Sequence, residues 1–283
     1  METITVTGAF GKAGRAVVGD LLEHGYRVVA TDLAGPPGHE ALGTLGTELV
    51  VADLTDYGAA VEVLAGSDAV VHLGNIPAPG RAPAPDTLAV NTAVNGNVFL
   101  AAARVGLRKV VWASSETTLG LPFDVPPRYA PVDEAHFPVP TSTYALSKVL
   151  GEQTAHHVSQ WSGIPFVGLR LSNIHRPQDY AAVPGYQDDA RLRRWNLWGY
   201  VDVRDVAQAA RLGLEQETTG SQNVIIAAAD TIMARPSAEL MAEVFPGVPL
   251  TKELVGNETL LAIDGARALL GYAPEHSWRD EAG

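Results

Sequence analysis

Cysteine does not occur anywhere in the 283 residues. Disulfide staples and thiolate metal sites are therefore excluded, and the absence fits a chain working in the reducing cytoplasm. Long apolar runs are missing too: none approaches the roughly eighteen residues a membrane span needs. METITVTGAF, at the start, enters a strand pattern at once, without the charged and apolar stretches of a secretion signal. A cytoplasmic protein with no membrane partner is expected. Positive charge is scarce, with 20 Lys and Arg against 32 Asp and Glu and a net charge of −12. A field of that sign disfavours nucleic acid and anionic membranes, so neither is expected as a partner. An anionic ligand then needs a local site of opposite polarity. No His, Asp and Glu grouping has metal-ligand spacing, and no metal is expected. Internal repeats and low-complexity tracts are also lacking.

What is present is apolar patterning that switches between two periods. Hydrophobic residues make up 46% of the chain, enough for one large domain or one domain with a smaller appendage. Ile4–Thr7, YRVVATD, LVVAD, AVVHLG, KVVWASS, PFVGLRLSN and QNVIIAA read as strands. Between them GKAGRAVVGDLLEHG, YGAAVEVLAG, Asp86–Val105, STYALSKVLGEQTAHHVSQWSG and VRDVAQAARLGLEQ carry helical spacing. Apolar strands separated by helices imply α/β architecture, with a doubly wound parallel sheet of Rossmann type covered on both faces. Proline-rich loops, AGPPGHE, IPAPGRAPAP and LPFDVPPRYAPVDEAHFPVP, follow successive strands on the side where such sheets bind ligands. The expected division is a dinucleotide-binding domain over residues 1–172, completed by 199–228. Residues 173–198 and 229–283 then form a small substrate-binding cap.

Between the first strand and first helix lies TGAFGKAGR, with Gly8, Gly11 and Gly14 three apart. One glycine lets the chain reverse, a second lets backbone approach a pyrophosphate, and a third lets the helix pack on the strand. The helix N-terminus offers unpaired N–H groups and positive dipole character to phosphate. Phe10 and Lys12 lie within this turn. Asp32 ends the second strand, eighteen residues beyond Gly14, where a carboxylate can accept the adenosine ribose hydroxyls. It would repel a 2′-phosphate, favouring NAD over NADP, although Lys12 and Arg15 are close enough to bear on that choice. Asp53 meets the adenine amino group or caps a helix in DLTD. Leu54, Leu73 and Gly74, at the ends of the next strands, complete the expected cofactor contacts.

Tyr144 and Lys148 sit four apart in TSTYALSK. Positions at that spacing share a helix face, so both can point into one cleft. By itself the pattern describes a surface helix pair as well as an acid–base pair. An isolated phenol titrates near 10, too high for a base at neutral pH. A neighbouring ammonium favours phenolate, which can then take a proton from a substrate hydroxyl.

Over nearly its whole length the chain resembles the extended short-chain dehydrogenase/reductases, the NAD-dependent epimerase/dehydratase group. The resemblance rests on TGAFGKAGR, TDL, ADLTD, VVHLGN, VNTAVNGNVFLAAARVG, KVVWASSETTLG, YALSK, RLSNIHRP, YVDVRDVA and LLGYAPEHS, in the family's order. It implies NAD as cofactor and Tyr144 as the proton-transfer residue, with Lys148 also holding the nicotinamide ribose. It further implies a hydroxyl on the reacting oxygen, Ser115 by position with Ser114 its neighbour, and a supporting helix asparagine, Asn91. Homodimers in this family commonly pair the two helices that follow strands four and five.

Departures narrow the activity. Dehydratases of the family carry an Asp–Glu pair after the serine; Glu116 and Thr117 stand here, which disfavours dehydration. Glu116 is a substrate ligand or a solvated loop acid. Asn75 is a further substrate candidate. Asn173 is kept, a residue that sits near the substrate diphosphate in nucleotide-sugar enzymes, whereas Leu119, His175 and Arg176 depart from the usual pattern. Chain length and RLRRWNLW are similar to uronate dehydrogenases, which oxidise a free sugar acid at its anomeric carbon. An arginine among Arg191, Arg193 and Arg194 would then grip the carboxylate bidentately, with Arg194 the candidate. Otherwise this cluster is a solvated loop, or a dimer contact through Trp195 and Trp198. The expected activity is hydride transfer between NAD and a secondary alcohol of a sugar or sugar-acid substrate. The alternatives are a nucleotide-sugar epimerase and a non-catalytic NAD-binding redox sensor. His156 and His157 are expected in solvent, His24 at a helix C-terminus and His72 in the core. ARALLGYAP reads as a helix closing the chain over the substrate side.

Overall fold

Buried parallel strands carry apolar side chains on both faces, and seven such strands build the central sheet. The computed structural model describes residues 1–33, 47–136 and 138–281. The AGPPGHE loop, Phe137 and the last two residues lie outside them. Along the chain run β1 (Thr3–Thr7), α1 (Lys12–Glu23), β2 (Arg27–Asp32), β3 (Glu48–Val51) and α2 (Tyr57–Leu64). After these come β4 (Ala69–His72), α3 (Ala84–Val105), β5 (Lys109–Ser115), α4 (Thr143–Ser162) and β6 (Phe166–Leu171). A second, two-stranded sheet pairs β7 (Ile174–His175) with β8 (Val201–Asp202). The chain then returns through α5 (Val203–Glu215) and β9 (Ser221–Ile226) to the large sheet. Its strand order is β3-β2-β1-β4-β5-β6-β9, all parallel. The order reverses at β1, so the crevice beyond β1 and β4 is the switch point where doubly wound sheets bind ligands. Thr7 and His72 face each other in register at that edge.

One face of the sheet is covered by α2, α3 and α4. There Phe99 meets Trp112 and Phe166 edge-on, with ring centroids 5.3 and 5.1 Å apart. The other face is covered by α1 and α5. Its apolar core continues without a break from Val6 and Val28 to Trp198, Leu240, Leu270 and Trp278. The C-terminal region, with α6 (Ser237–Val244), α7 (Asp264–Leu270) and α8 (Trp278–Glu281), therefore shares its core with the sheet. The helix expected to close the chain is α7. It packs on edge strand β9 and on α5, and α8 follows it. Among the described residues no helix is long and apolar enough to cross a membrane.

Two close approaches set the cleft. Gly8 has φ +66°, and a Cβ there would meet the Leu73 carbonyl carbon at 2.7 Å. A Cβ on Gly14 would lie 2.1 Å from the Gly8 oxygen and 2.7 Å from the Ala9 Cα. Both obstacles are backbone, which cannot rotate aside. Gly14→Ala is expected to lose about 1–3 kcal/mol or more through overpacking. Gly19→Ala, in the same helix with nothing within 4 Å of its Cβ, should gain roughly 0.5–1 kcal/mol. Urea unfolding of the two variants checks the contrast; equal midpoints would contradict the packing account.

Candidate active site

The glycine turn presents α1 end-on to the crevice. Gly11 is its N-cap, no side chain caps the first turn and no acidic residue sits there. Those N–H groups and the dipole are left for an anion. Asp32 accepts from the Phe10 N–H at 3.0 Å and the Leu33 N–H at 2.9 Å, tying the end of β2 to the turn. Lys12 reaches across to the Ile174 carbonyl and to Asp179, both at 2.9 Å. Arg15 donates to the Phe10 carbonyl at 3.0 Å. A cleft of about 640 Å³ opens here, lined by Phe10, Gly11, Lys12, Arg15, Arg176 and Val203 among others. An uncapped helix start, a glycine turn and a strand-end acid are what a dinucleotide needs, so these residues fit NAD. Farther along, Leu54 is buried, while the Leu73 and Gly74 N–H groups donate to the Thr7 hydroxyl. Asp53 caps no helix: it accepts from the Thr55 backbone and hydroxyl, and Asp56 caps α2. The Thr55 hydrogen bonds hold the Asp53 carboxyl below its ordinary range.

Helix α4 starts at the Ser142 cap, whose hydroxyl accepts from the Ala145 N–H at 3.1 Å. Tyr144 thus falls in the first turn and Lys148 in the second, and both are buried. Gly151, one turn further, brings α4 close to β5; a Cβ there would meet the Trp112 ring at 2.9 Å. Ser115 is the side chain that eases ionisation of the Tyr144 phenol, while its own oxygen accepts from the Thr117 N–H and hydroxyl at 3.2 and 3.0 Å. Ser114 instead donates to Glu152 at 2.6 Å, and Glu152 pairs bidentately with the buried Arg170 at 2.9 Å. The geometry thereby separates the two serines. Lys148 Nζ donates to Asn75 Oδ1 and to the Ala113 carbonyl, both at 2.7 Å. Asn75, expected on the substrate, therefore holds the lysine. Asn91 is fully buried and bonds both backbone groups of Ile76 and the Ser147 hydroxyl. It braces the loop after β4 against α4 and is a positioning residue.

The expected effect of lysine on tyrosine is not what this environment produces. Burial pushes the Tyr144 phenol up to about 12, eased by Ser115 and reinforced by the charge of Glu116. Burial likewise pulls the Lys148 ammonium down to about 7, with Glu152 opposing it. A low-dielectric site disfavours phenolate and ammonium alike, so without a further positive charge the phenol keeps its proton.

Glu116 opens the short 3₁₀ turn after β5 and is buried. It is a strut: Ser172 donates to Oε2 at 2.6 Å and Asn196 to Oε1 at 3.2 Å. Burial pushes its carboxyl up to about 7, against the pull of Ser172, Asn196, Arg193 and the Asn173 N–H. Among the arginines, Arg193 is the one brought here, buried and stacked on Tyr186 and Trp195 at 5.4 and 5.0 Å. Asn173, its amide oriented with Oδ1 towards these donors, accepts from Arg193 at 3.0 and 3.2 Å and from His175 at 3.0 Å. Arg194 and Arg191 are far more exposed, facing Asp124 at 4.0 Å and Glu243 at 3.7 Å. Trp198 is fully buried and donates to the Ala190 carbonyl, so it is no dimer contact. Leu197 and Trp198 adopt φ of 54° and 57°, a left-handed pair that turns the chain inward behind Arg193. Three arginines within four residues have no periodicity that marks the buried one. His156 and His157 are exposed, His24 caps the end of α1 and His72 is a core residue, as expected.

Residues 4–228 match the NAD dependent epimerase/dehydratase family. The chain belongs to that family. It is 30% identical to the NAD-dependent glucose-6-phosphate dehydrogenase of Haloferax volcanii, over 63% of this chain and 72% of that one. With the uronate dehydrogenase of Pseudomonas syringae pv. tomato it shares 29% identity over 62% of its length and 61% of the relative's. A crystal structure of UDP-galactose 4-epimerase superposes with a TM-score of 0.73 at 25% identity, covering 99% of this chain and 95% of that one. Fold and family thus make it an NAD-dependent enzyme of the extended short-chain dehydrogenase/reductase type.

Within this family member, the Glu116 strut carries a pH signature. Its carboxyl titrates near 7 when folded, against an ordinary 4.5. Between those values the folded state binds more protons, so stability contributed below about pH 4.5 is lost as pH rises through 7. The loss is of order 3 kcal/mol. Glu116→Gln removes the titration, so its melting temperature should decline less than wild type between pH 5 and 8. Parallel curves would show that Glu116 does not titrate there.

Proposed function

We propose that this enzyme oxidises a hydroxyl of a free sugar or sugar acid, at the anomeric carbon, with NAD as acceptor. The observation that carries this reading is the closed amide of Asn173. Arg193 and His175 occupy the group that a nucleotide-sugar diphosphate would have to meet. Arg193 also supplies the local polarity that the chain's overall charge denies an anion. Its Nε–H has no acceptor among the described residues, and Glu116, the acid whose charge acts on it, is half neutral near pH 7. A carboxylate or phosphate on the sugar satisfies such a buried cation. Residues 173–198 and 229–281 are read as the cap that encloses it.

Bound NAD supplies the hydride acceptor and the positive charge that the site lacks. Tyr144 takes the substrate hydroxyl proton while the carbon loses hydride, leaving a carbonyl, and returns the proton in the reverse direction. Ser115, which acts on the phenol, orients the reacting oxygen. Asp32 favours NAD over NADP, since Lys12 and Arg15 are engaged with Asp179 and the Phe10 carbonyl. The exposed Leu100, Leu150 and Trp161 on α3 and α4 support a homodimer through those helices. NAD-linked sugar oxidation of this kind belongs in the cytoplasm.

Absorbance at 340 nm with NAD and a panel of aldoses, uronates and sugar phosphates is the direct check. Net NADH with an acidic sugar is expected. Isomerised UDP-sugar without NADH would replace this reading with the epimerase. Tyr144→Phe should lower kcat by about 10²–10⁴-fold while NAD affinity stays within about twofold. Arg193→Lys, which keeps charge but loses the fork, should raise KM for acidic sugars at least about tenfold more than for neutral ones. An unchanged ratio removes Arg193 from recognition.

A further inference from the structure

Lys148 is held by a buried polar chain that starts at the far side of the crevice. Thr7, the last residue of β1, accepts from the Leu73 and Gly74 N–H groups at 3.1 and 3.0 Å. With its lone pairs so used, its hydroxyl proton points at His72 Nδ1, 2.6 Å away. That fixes the tautomer: His72 carries its proton on Nε2 and donates it to Asn95 Oδ1 at 3.0 Å. Asn95 Oδ1 also accepts from Asn75 Nδ2 at 2.9 Å. With its NH₂ turned to Asn95, Asn75 can present only Oδ1 to Lys148. Every link has one allowed direction.

We propose that His72, Asn95 and Asn75 are positioning residues that set the acceptor for Lys148 and so keep its ammonium charged in the cofactor site. The inference rests on the reading of Lys148 as the nicotinamide-site lysine. Two of the three Lys148 N–H groups are spent on Asn75 and Ala113. The third is left for the cofactor side. His72 suits the relay because burial holds it neutral, pulled down to about 3. A charged imidazole would turn an N–H towards Thr7 and break the sequence of donors. The other charged or titratable groups packed around α4 here are Glu152, Arg170, Tyr144 and Glu116. Glu152 attracts the ammonium and is itself paired with Arg170, while Glu116 acts on Tyr144.

The test reads Lys148 itself, in the free protein without substrate. Lysine is labelled with ¹³C at Cε, and the Lys148 signal is assigned by its loss in Lys148→Arg. Its titration is then followed in Asn75→Leu, Asn95→Leu and the double variant, each checked for a cooperative melt. Removing the acceptor in Asn75→Leu should lower the midpoint by about one pH unit. Asn95→Leu should lower it by less, and the double variant no further than Asn75→Leu, because Asn95 acts only through Asn75. Asn75→Ala, which also lacks an acceptor, serves in its place if Asn75→Leu does not fold. Where the sugar assay works, the basic limb of kcat, along which the required ammonium is lost, should move down with the midpoint, and KM should stay within about twofold. Unmoved midpoints, or shifts that add in the double variant, overturn the proposal. A wild type inactive on every sugar would overturn the functional reading and leave this titration standing.

Discussion

Burying an ammonium ion one helical turn from a phenol is the constraint around which the crevice is arranged. Lys148 is 2% exposed, and a lone cation in such a place costs several kcal/mol. The sheet offsets this with what strand ends have to offer. The Ala113 carbonyl is turned towards α4 near the end of β5, and Asn75 follows the end of β4. Gly151 permits the approach of α4 that brings the amine within reach of both. Glu152, on the same face one turn beyond Lys148, adds attraction while staying locked to Arg170. The lysine is thereby charged only on sufferance, and small changes among its acceptors act on it directly.

A second buried charge constrains the first site from the other side. Glu116 joins the end of β5 to Ser172, just past β6, and to Asn196 in the segment that leads to β8. One carboxylate thus ties the end of β5 to the segment that carries Arg193. It also raises the Tyr144 phenol. Two opposed demands meet in one residue: as an ion it attracts the Arg193 guanidinium through space, and as an ion it opposes phenolate. A carboxyl poised near neutrality relaxes both demands in part.

The parts of this arrangement that were legible in the sequence are those that short-range periodicity writes. Glycines three apart between an apolar strand and an amphipathic helix prescribe the turn, and an i,i+4 pair prescribes a shared face. The parallel sheet follows from strands without alternation. Contacts between distant residues leave no such trace. Glu116 and Asn196 are 80 positions apart, and Asn75 and Lys148 are 73 apart. By its place after the serine in the family pattern Glu116 reads as ligand or loop acid, and Asn75 reads as a substrate contact. Arg193 and Arg194 differ only in which side of a 3₁₀ turn they occupy, and that depends on the left-handed pair that follows. Ser114 and Ser115 differ by the alternation of β5, which the sequence predicts in kind but cannot assign to a face without its partners, Glu152 and Tyr144.

Charge distribution connects these local facts to selectivity. The chain as a whole is acidic, so it repels anions at long range and screening limits that effect to about 8–10 Å in ordinary salt. Close to the site the sign reverses, because Arg193 is desolvated and only partly compensated. A substrate carrying one compact anionic group gains from that cation once inside. A nucleotide diphosphate would bring more charge through the repelling field and still find Asn173 taken. On the function proposed above, the geometry that closes the diphosphate position leaves room for a carboxylate, with the stacked Arg193 guanidinium as the cation that meets it.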